Sequence, residues 1–254
     1  MLQTPAGTAL RPSPVPSAWL LVLALSLAFG ALAGGGEDGT RLDPLADGLS
    51  PRERLDVLVE RVKHEQANVE TMRASFEKDT ASSLLLEPET SRGEFLYRTP
   101  DRVLWQVQEP LAVIVALTDE EMVTYFPERR VAERVGISNV SERVFEYLGA
   151  SGSLETLMQY FSVTAEFPEE RGEDYHLQLL PRYARIKKRI ASMDIWVDAE
   201  SFLPSRLKYT EPNGDHTEYR FQNVEINIDL PAERFELELP PGVVIETVDL
   251  KRGG

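Results

Sequence analysis

A chain of 254 residues with no cysteine and a formal charge of −15 leaves several functions out at once. No disulfide, thiolate nucleophile, Cys-ligated metal or lipid-modified N-terminal cysteine is possible. So acidic a balance is repelled by nucleic acid and, taken over the whole surface, by an anionic membrane. The hydrophobic share of 42% is that of an ordinary globular protein with one sizeable core.

Residues 1–33 read as a secretory signal peptide. Arg11 supplies a positive n-region, Ala18 to Leu32 is apolar apart from Ser26 and Gly30, and Ala31-Leu32-Ala33 has the A-x-A form of a cleavage site. The apolar run falls short of the roughly 20 residues that span a bilayer, which disfavours a membrane anchor. Cleavage near Ala33 would export the chain. Residues 34–50 are rich in Gly and Asp without periodicity and form a flexible leader, and residues 51–254 form a single domain.

The domain opens with a helix. Ser50 and Glu53 make a capping box, Pro51 takes the first helical position, and Leu55, Leu58, Val59 and Val62 recur at helical spacing up to about Ala67. From Met72 the period changes to two, with Met72, Ala74 and Phe76 on one side of a strand. A loop over 81–90 carries the triplet Leu84-Leu85-Leu86. Ser91 to Pro110 is a hairpin: Phe95 and Tyr97, then Val103, Trp105 and Val107, recur at the two-residue period of a strand with one face turned inward, around the breaker Thr99-Pro100-Asp101. So many inward rings imply either a thick core or an apolar pocket.

A second hairpin pairs Ala112 to Leu117 with Met122 to Phe126, and 128–135 continues as a strand or hook. Ser141 to Leu148 and Ser153 to Phe161 are short helices with serine N-caps, inserted in an otherwise β chain. Strands resume at 163–167, 175–180, 190–197, 204–210, 216–222 and 235–239, with Asn213-Gly214 as a tight hairpin turn. Regular short strands of this kind predict a sandwich or barrel.

No catalytic or metal constellation emerges. His64, His176 and His216 fall in different elements without ligand spacing, and Gly149-Ala150-Ser151-Gly152-Ser153 lacks the second glycine and the strand-to-helix setting of a nucleophile elbow. Arg182, Arg185, Lys187, Lys188 and Arg189 concentrate positive charge in one loop. The plainer reading is a solvated loop; the sharper one is a docking patch for acidic partners or phosphate headgroups.

Taken in order, the segments resemble the LolA-type periplasmic carriers of outer-membrane lipoproteins. The residues that carry the resemblance are the helix running into Met72-Arg73-Ala74-Ser75-Phe76, the strand from Gly93 to Arg98, Pro100, Trp105 and Pro110, the turn 118–121, Tyr125-Phe126-Pro127, and the closing run from Phe235 to Val243 with its Pro-Pro-Gly-Val. The resemblance implies a mostly β, α+β fold: an open antiparallel half-barrel with an N-terminal helix, and short inserted helices as a lid over an apolar cavity. No enzymatic activity, cofactor or metal is implied. The ligands would be acyl chains of lipoproteins or related lipids. The partners would be an inner-membrane ABC-type releasing complex and an outer-membrane receptor, and the carrier would act as a monomer.

On that reading Phe76, Phe95, Tyr97, Trp105, Val113, Val115 and Tyr125 line the cavity, and Phe145, Leu154, Leu157, Met158 and Phe161 supply the lid. The family commonly has Arg directly before the turn proline as a lid latch; here Thr99 stands there, with Arg98 one position earlier, on the other face of a regular strand. A lipid-responsive periplasmic sensor or regulatory protein on the same half-barrel is the alternative function.

Overall fold

Among the described residues, twelve strands make one sheet. The structure, a computed structural model, describes residues 43–118, 120–136 and 154–247. The expected signal peptide, most of the expected leader and the first of the two expected inserted helices, with Phe145, lie outside the described residues. In chain order the elements are α1 (Pro51–Ala67), β1 (Thr71–Ala81), β2 (Glu89–Arg98), β3 (Arg102–Glu109), β4 (Val113–Leu117), β5 (Glu121–Phe126), β6 (Val131–Gly136), α2 (Leu154–Tyr160) and β7 (Phe161–Glu166). There follow β8 (Tyr175–Pro181), the single turn α3 (Ala184–Lys187), β9 (Ser192–Val197), β10 (Pro204–Thr210), β11 (His216–Ile226), a 3₁₀ turn (Ala232–Phe235) and β12 (Val244–Thr247). Every ladder is antiparallel except β12 on β6. The sheet is open, in the order β12-β6-β5-β4-β3-β2-β1-β11-β10-β9-β8-β7, with β7 and β12 at its two edges; the expected half-barrel class holds.

α1 starts where its sequence says. The Ser50 amide donates to Glu53 Oε2 at 2.9 Å and the Glu53 amide to Ser50 Oγ at 3.3 Å, so two otherwise orphaned donors satisfy each other. Leu58, Val59 and Val62 then face inward onto the sheet. α1 and α2 cover this inner face, and their buried side chains join those of β1 to β11 in one core.

The outer face is covered in two ways, and the strand sequences follow the cover. From β2 to β6 it is apolar, with Leu96, Leu104, Ala116, Val123, Tyr125 and Ala132 packed against Leu230, Phe235, Leu237, Leu239 and Val243. Those last residues belong to a strap, 227–243, that leaves β11 and crosses back over the sheet. Phe235 to Leu239, expected as a closing strand, is part of this strap: its side chains alternate onto the sheet, but its backbone makes no ladder, and β12 forms only after Pro240-Pro241-Gly242. Asn227 starts the strap by donating its amide to Thr71 O at 2.7 Å and its Nδ2 to Asn68 O at 2.9 Å, while Oδ1 accepts from the Glu70 amide at 2.8 Å.

Over β7 to β11 and β1 the outer face is instead a run of charges. His176 contacts Glu166 at 2.8 Å and Asp194 at 3.0 Å and stacks on Trp196, over which Arg206 also lies at 4.0 Å. Arg206 and Arg220 both pair with Glu218 at 2.8 Å, and Arg220 reaches Asp79 on β1 at 2.8 Å. The segment around Lys187, read from sequence as a loop, closes into the turn α3 because Ile186 is buried beneath it.

Gly93 is fixed by a close approach. It pairs across with Phe76, and a Cβ there would stand 1.9 Å from Gln106 O and 2.6 Å from the Phe76 ring. Gly93→Ala is expected to lower stability by about 3 kcal/mol or more, since the backbone carbonyl of β3 has nowhere to move. Denaturant unfolding measures this; a loss under about 1 kcal/mol would show that β2 and β3 are less tightly apposed.

Candidate functional site

The inner face is organised around Trp105. Its indole is 1% exposed and meets Phe76 at 4.7 Å, Phe95 at 5.0 Å, Tyr219 at 5.4 Å and Phe221 at 6.1 Å between ring centroids. Four adjacent strands, β3, β2, β1 and β11, supply these rings. Most of the contacts are tilted or edge-to-face, the arrangement in which ring quadrupoles attract. The bare Gly93 backbone is what lets the Phe76 ring lie low enough to reach Trp105.

Around this cluster lie Tyr97, Val103, Val115, Leu117, Leu177, Leu179, Met193, Ile195 and Leu207, all buried, with Val113 half-buried beside them. Leu154, Leu157 and Phe161 close over the face from α2 and the start of β7, with Met158 half-buried. With the exception of Phe145, outside the described residues, and Tyr125, the cavity and lid residues expected from sequence therefore share one face and one core. In this arrangement the rings are packed on one another, not spread around an open space.

Tyr125 needs correction. β5 pairs Ile114 with Tyr125 and Tyr125 with Ala132, which puts it on the outer face beneath Leu237, Leu239 and Val243. Thr124 is buried too and stands opposite Val115, so it is Thr124 that belongs to the inner face. Of the two latch candidates, Arg98 and Thr99, the first lies away from the lid, as its place on the other face of a regular strand implied. Strand parity turns Arg98 outward, where its Nη1 donates to Leu230 O, so that it fastens the strap. Thr99 donates its amide to Glu70 O at 2.8 Å, tying the β2–β3 turn to the end of α1.

Tyr219, Phe221 and Lys78 were not expected at the site, although the alternation of β11 (Thr217, Tyr219, Phe221) carries the first two. Lys78 lies two residues beyond Phe76, opposite Tyr219 and Ser91, and burial pulls its ammonium below the ordinary lysine range. Burial pushes the Tyr209 phenol up to about 12 against a hydrogen bond with Thr217, and pushes the Tyr219 phenol well up. The apolar floor thus has a polar border of Lys78, Ser91, Thr217 and Tyr209 at one end. At the other end, beside α1, a pocket of about 290 Å³ is lined by Tyr175, Phe202, Ala199 and Arg61, with Asp43 and Arg171 paired at 2.9 Å on its rim. Among the described residues no group of His, Asp and Glu is placed to hold a metal ion, and no helix is long and apolar enough to cross a membrane.

The family model described as outer membrane lipoprotein carrier protein LolA matches residues 67–238, from the end of α1 through the strap. The chain belongs to the LolA family. An outer-membrane lipoprotein carrier protein of Chromohalobacter salexigens is 23% identical over 205 residues, covering 80% of this chain and 87% of its own. Among solved structures, an uncharacterized conserved protein from Thermus thermophilus superposes with a TM-score of 0.51 at 9% identity, over 76% of this chain and 99% of its own. A LolA superfamily protein from Nitrosomonas europaea gives 0.37 at 11% identity, over 72% and 97%. Family membership makes a binding protein the framework for the inner face.

Arg98→Ala is expected to release the strap and leave the helices in place. A charged donor to a carbonyl is worth about 1.5–3 kcal/mol, so amide exchange over 228–235 should quicken roughly tenfold or more while α2 is unchanged. Faster exchange in α2 with an unchanged strap would make Arg98 a lid latch after all.

Proposed function

We propose that this protein is an exported, non-enzymatic carrier that takes the acyl chains of lipoproteins between its helices and the inner face of the sheet, and ferries them from the inner to the outer membrane. The observation that carries the reading is the cover. A broad apolar face with Trp105 at its centre is roofed by two separate helices, α1 and α2, and not by a second sheet. Helices that pack by side chains alone can lift away without breaking a ladder, whereas a second sheet could not be parted so simply.

Physical chemistry supports the rest. Transfer of an acyl chain out of water is worth about 0.8 kcal/mol per methylene, so a loaded chain does not leave through solvent and must be handed from one apolar site to the next. Hence the proposal includes an inner-membrane ABC-type releasing complex as donor and an outer-membrane receptor as acceptor. The polar border at Lys78, Ser91 and Tyr209 suits the ester and headgroup end of such a ligand, with Trp105, Phe76, Phe95 and Phe221 as the floor beneath its chains. The periplasm is the compartment in which such a carrier works, reached through the signal peptide.

Native mass spectrometry of the protein, produced with its leader in a Gram-negative host and isolated without detergent, tests this. A fraction carrying an acylated lipoprotein one to one is the expected result. A stoichiometric protein partner without acyl groups would instead favour the regulatory alternative, and a chain that stays bare when acylated lipoprotein is supplied contradicts the carrier.

A further inference from the structure

Large apolar side chains are exposed mostly at one end of the sheet. Leu84 is 91% exposed and Leu86 fully so, at the tip of the β1–β2 connection, with Leu85 beside them. Leu111 in the β3–β4 connection and Tyr183 in the β8–β9 connection are exposed at the same end. The register places them together: β1 ends opposite His216, β10 ends opposite His216 at Thr210, and the Ala191 amide, just before β9, donates to Thr210 O at 2.7 Å. At the opposite end the β2–β3 and β9–β10 turns expose no large hydrophobic residue, and Val224 and Ile226 at the end of β11 are exposed to a lesser degree.

The leucines are held out, not left to collapse. Ser82 Oγ donates to Asp215 Oδ2 and the Ser83 amide to Asp215 Oδ1, both at 2.7 Å, which bolts the β1–β2 tip to the Asn213-Gly214 turn; the Leu85 amide closes a turn on Ser82 O at 2.9 Å. Along the order β2-β1-β11-β10-β9-β8 the β8–β9 connection stands four strand spacings from this tip, about 19 Å at roughly 4.8 Å each. There Arg182, Arg185, Lys187, Lys188 and Arg189 are all exposed around the buried Ile186. In a chain of formal charge −15 this is a marked local reversal of sign.

We propose that this end of the sheet is a docking surface for a bilayer that contains anionic phospholipid. The leucine tip enters the headgroup region, and the basic connection pairs with lipid phosphates beside it. Neither element alone suffices: a few apolar side chains give marginal, reversible binding, and firm association takes a second, basic signal. Tyr183 has the ring-and-hydroxyl character that settles at the membrane interface. Carboxylates share the rim, Glu87 and Glu89 beside the leucines and Glu211 on the intervening turn, and with the overall charge they keep the contact brief and salt-sensitive. An apolar partner pocket would satisfy the leucines but offers nothing to the exposed Arg182, Lys187 and Lys188; a bilayer with anionic headgroups accounts for both. The inference goes beyond the carrier reading and is independent of it, since it concerns the exposed connections at the end of the sheet and needs no cargo.

Because the chain has no cysteine, one can be placed at will. Leu86→Cys carrying a polarity-sensitive fluorophore is titrated with phosphatidylethanolamine vesicles containing phosphatidylglycerol, and with phosphatidylcholine vesicles alone; Glu200→Cys, in the β9–β10 turn at the opposite end, is the reference. The Leu86 probe is expected to shift to the blue on the anionic vesicles and the Glu200 probe to stay silent. Phosphatidylcholine should bind at least tenfold more weakly, and the combined change Arg182→Glu, Lys187→Glu, Lys188→Glu should cost at least tenfold with the thermal midpoint unchanged. A silent Leu86 probe overturns the proposal, even if the protein floats with vesicles, because its N-terminal stretch would then be the anchor. An equal response at Glu200, or indifference to both lipid charge and charge reversal, overturns it as well.

Discussion

An open sheet that is apolar on its inner face from β6 round to β7 cannot stand in water uncovered, and how that face is roofed decides everything else in this molecule. Among the described residues the roof is α1 and α2, which meet the sheet by side-chain packing, with hydrogen bonds from Asn227 and Thr99 only just past the C-terminal end of α1. They are attached separately, α1 through the turn into β1 and α2 through Tyr160 into β7. Beneath it the aromatic floor is rigid, because Trp105 touches rings from three neighbouring strands and Gly93 lets Phe76 sink against the backbone.

The outer face makes that roof affordable in structural terms. The strap 227–243, fastened by Asn227 at one end and by Arg98 near the 3₁₀ turn, seals the outer side of β2 to β6. On the remaining strands a ladder of alternating charges and one stacked indole replaces apolar cover. Most of the buried apolar side chains lie on the inner face, and the strap adds a second, smaller core behind β2 to β6.

Much of this was legible in the residues. The capping box of α1 and the change of period at Met72 each stated their structure, because those segments have one apolar face; β2 and β3 were legible through the breaker Thr99-Pro100-Asp101 between them, although Leu96 and Leu104 make their outer face apolar as well. β4 and β5 did not. Strands buried on both faces read as continuous apolar runs, and in Met122-Val123-Thr124-Tyr125 nothing in the sequence says which set points inward; a one-residue ambiguity reversed Tyr125. Phe235-Glu236-Leu237-Glu238-Leu239 alternates as a strand would, and its side chains do point alternately onto the sheet, but alternation reports burial and not hydrogen bonding. The role of Arg98 followed from parity once the strap, invisible as such in the sequence, was there to receive it.

The central claim is that the packed floor around Trp105 is the closed state of a lipid site. Quenching by brominated acyl chains tests it most directly, since bromine quenches an indole only at contact. In protein with Trp19→Phe and Trp196→Phe, Trp105 is the sole tryptophan. Its emission is predicted to fall on adding a diacyl lipid with bromines along the chains, and to be restored when the unbrominated lipid displaces it. If the lipid binds and the emission of Trp105 does not change, the rings are sealed core and acyl chains bind somewhere else.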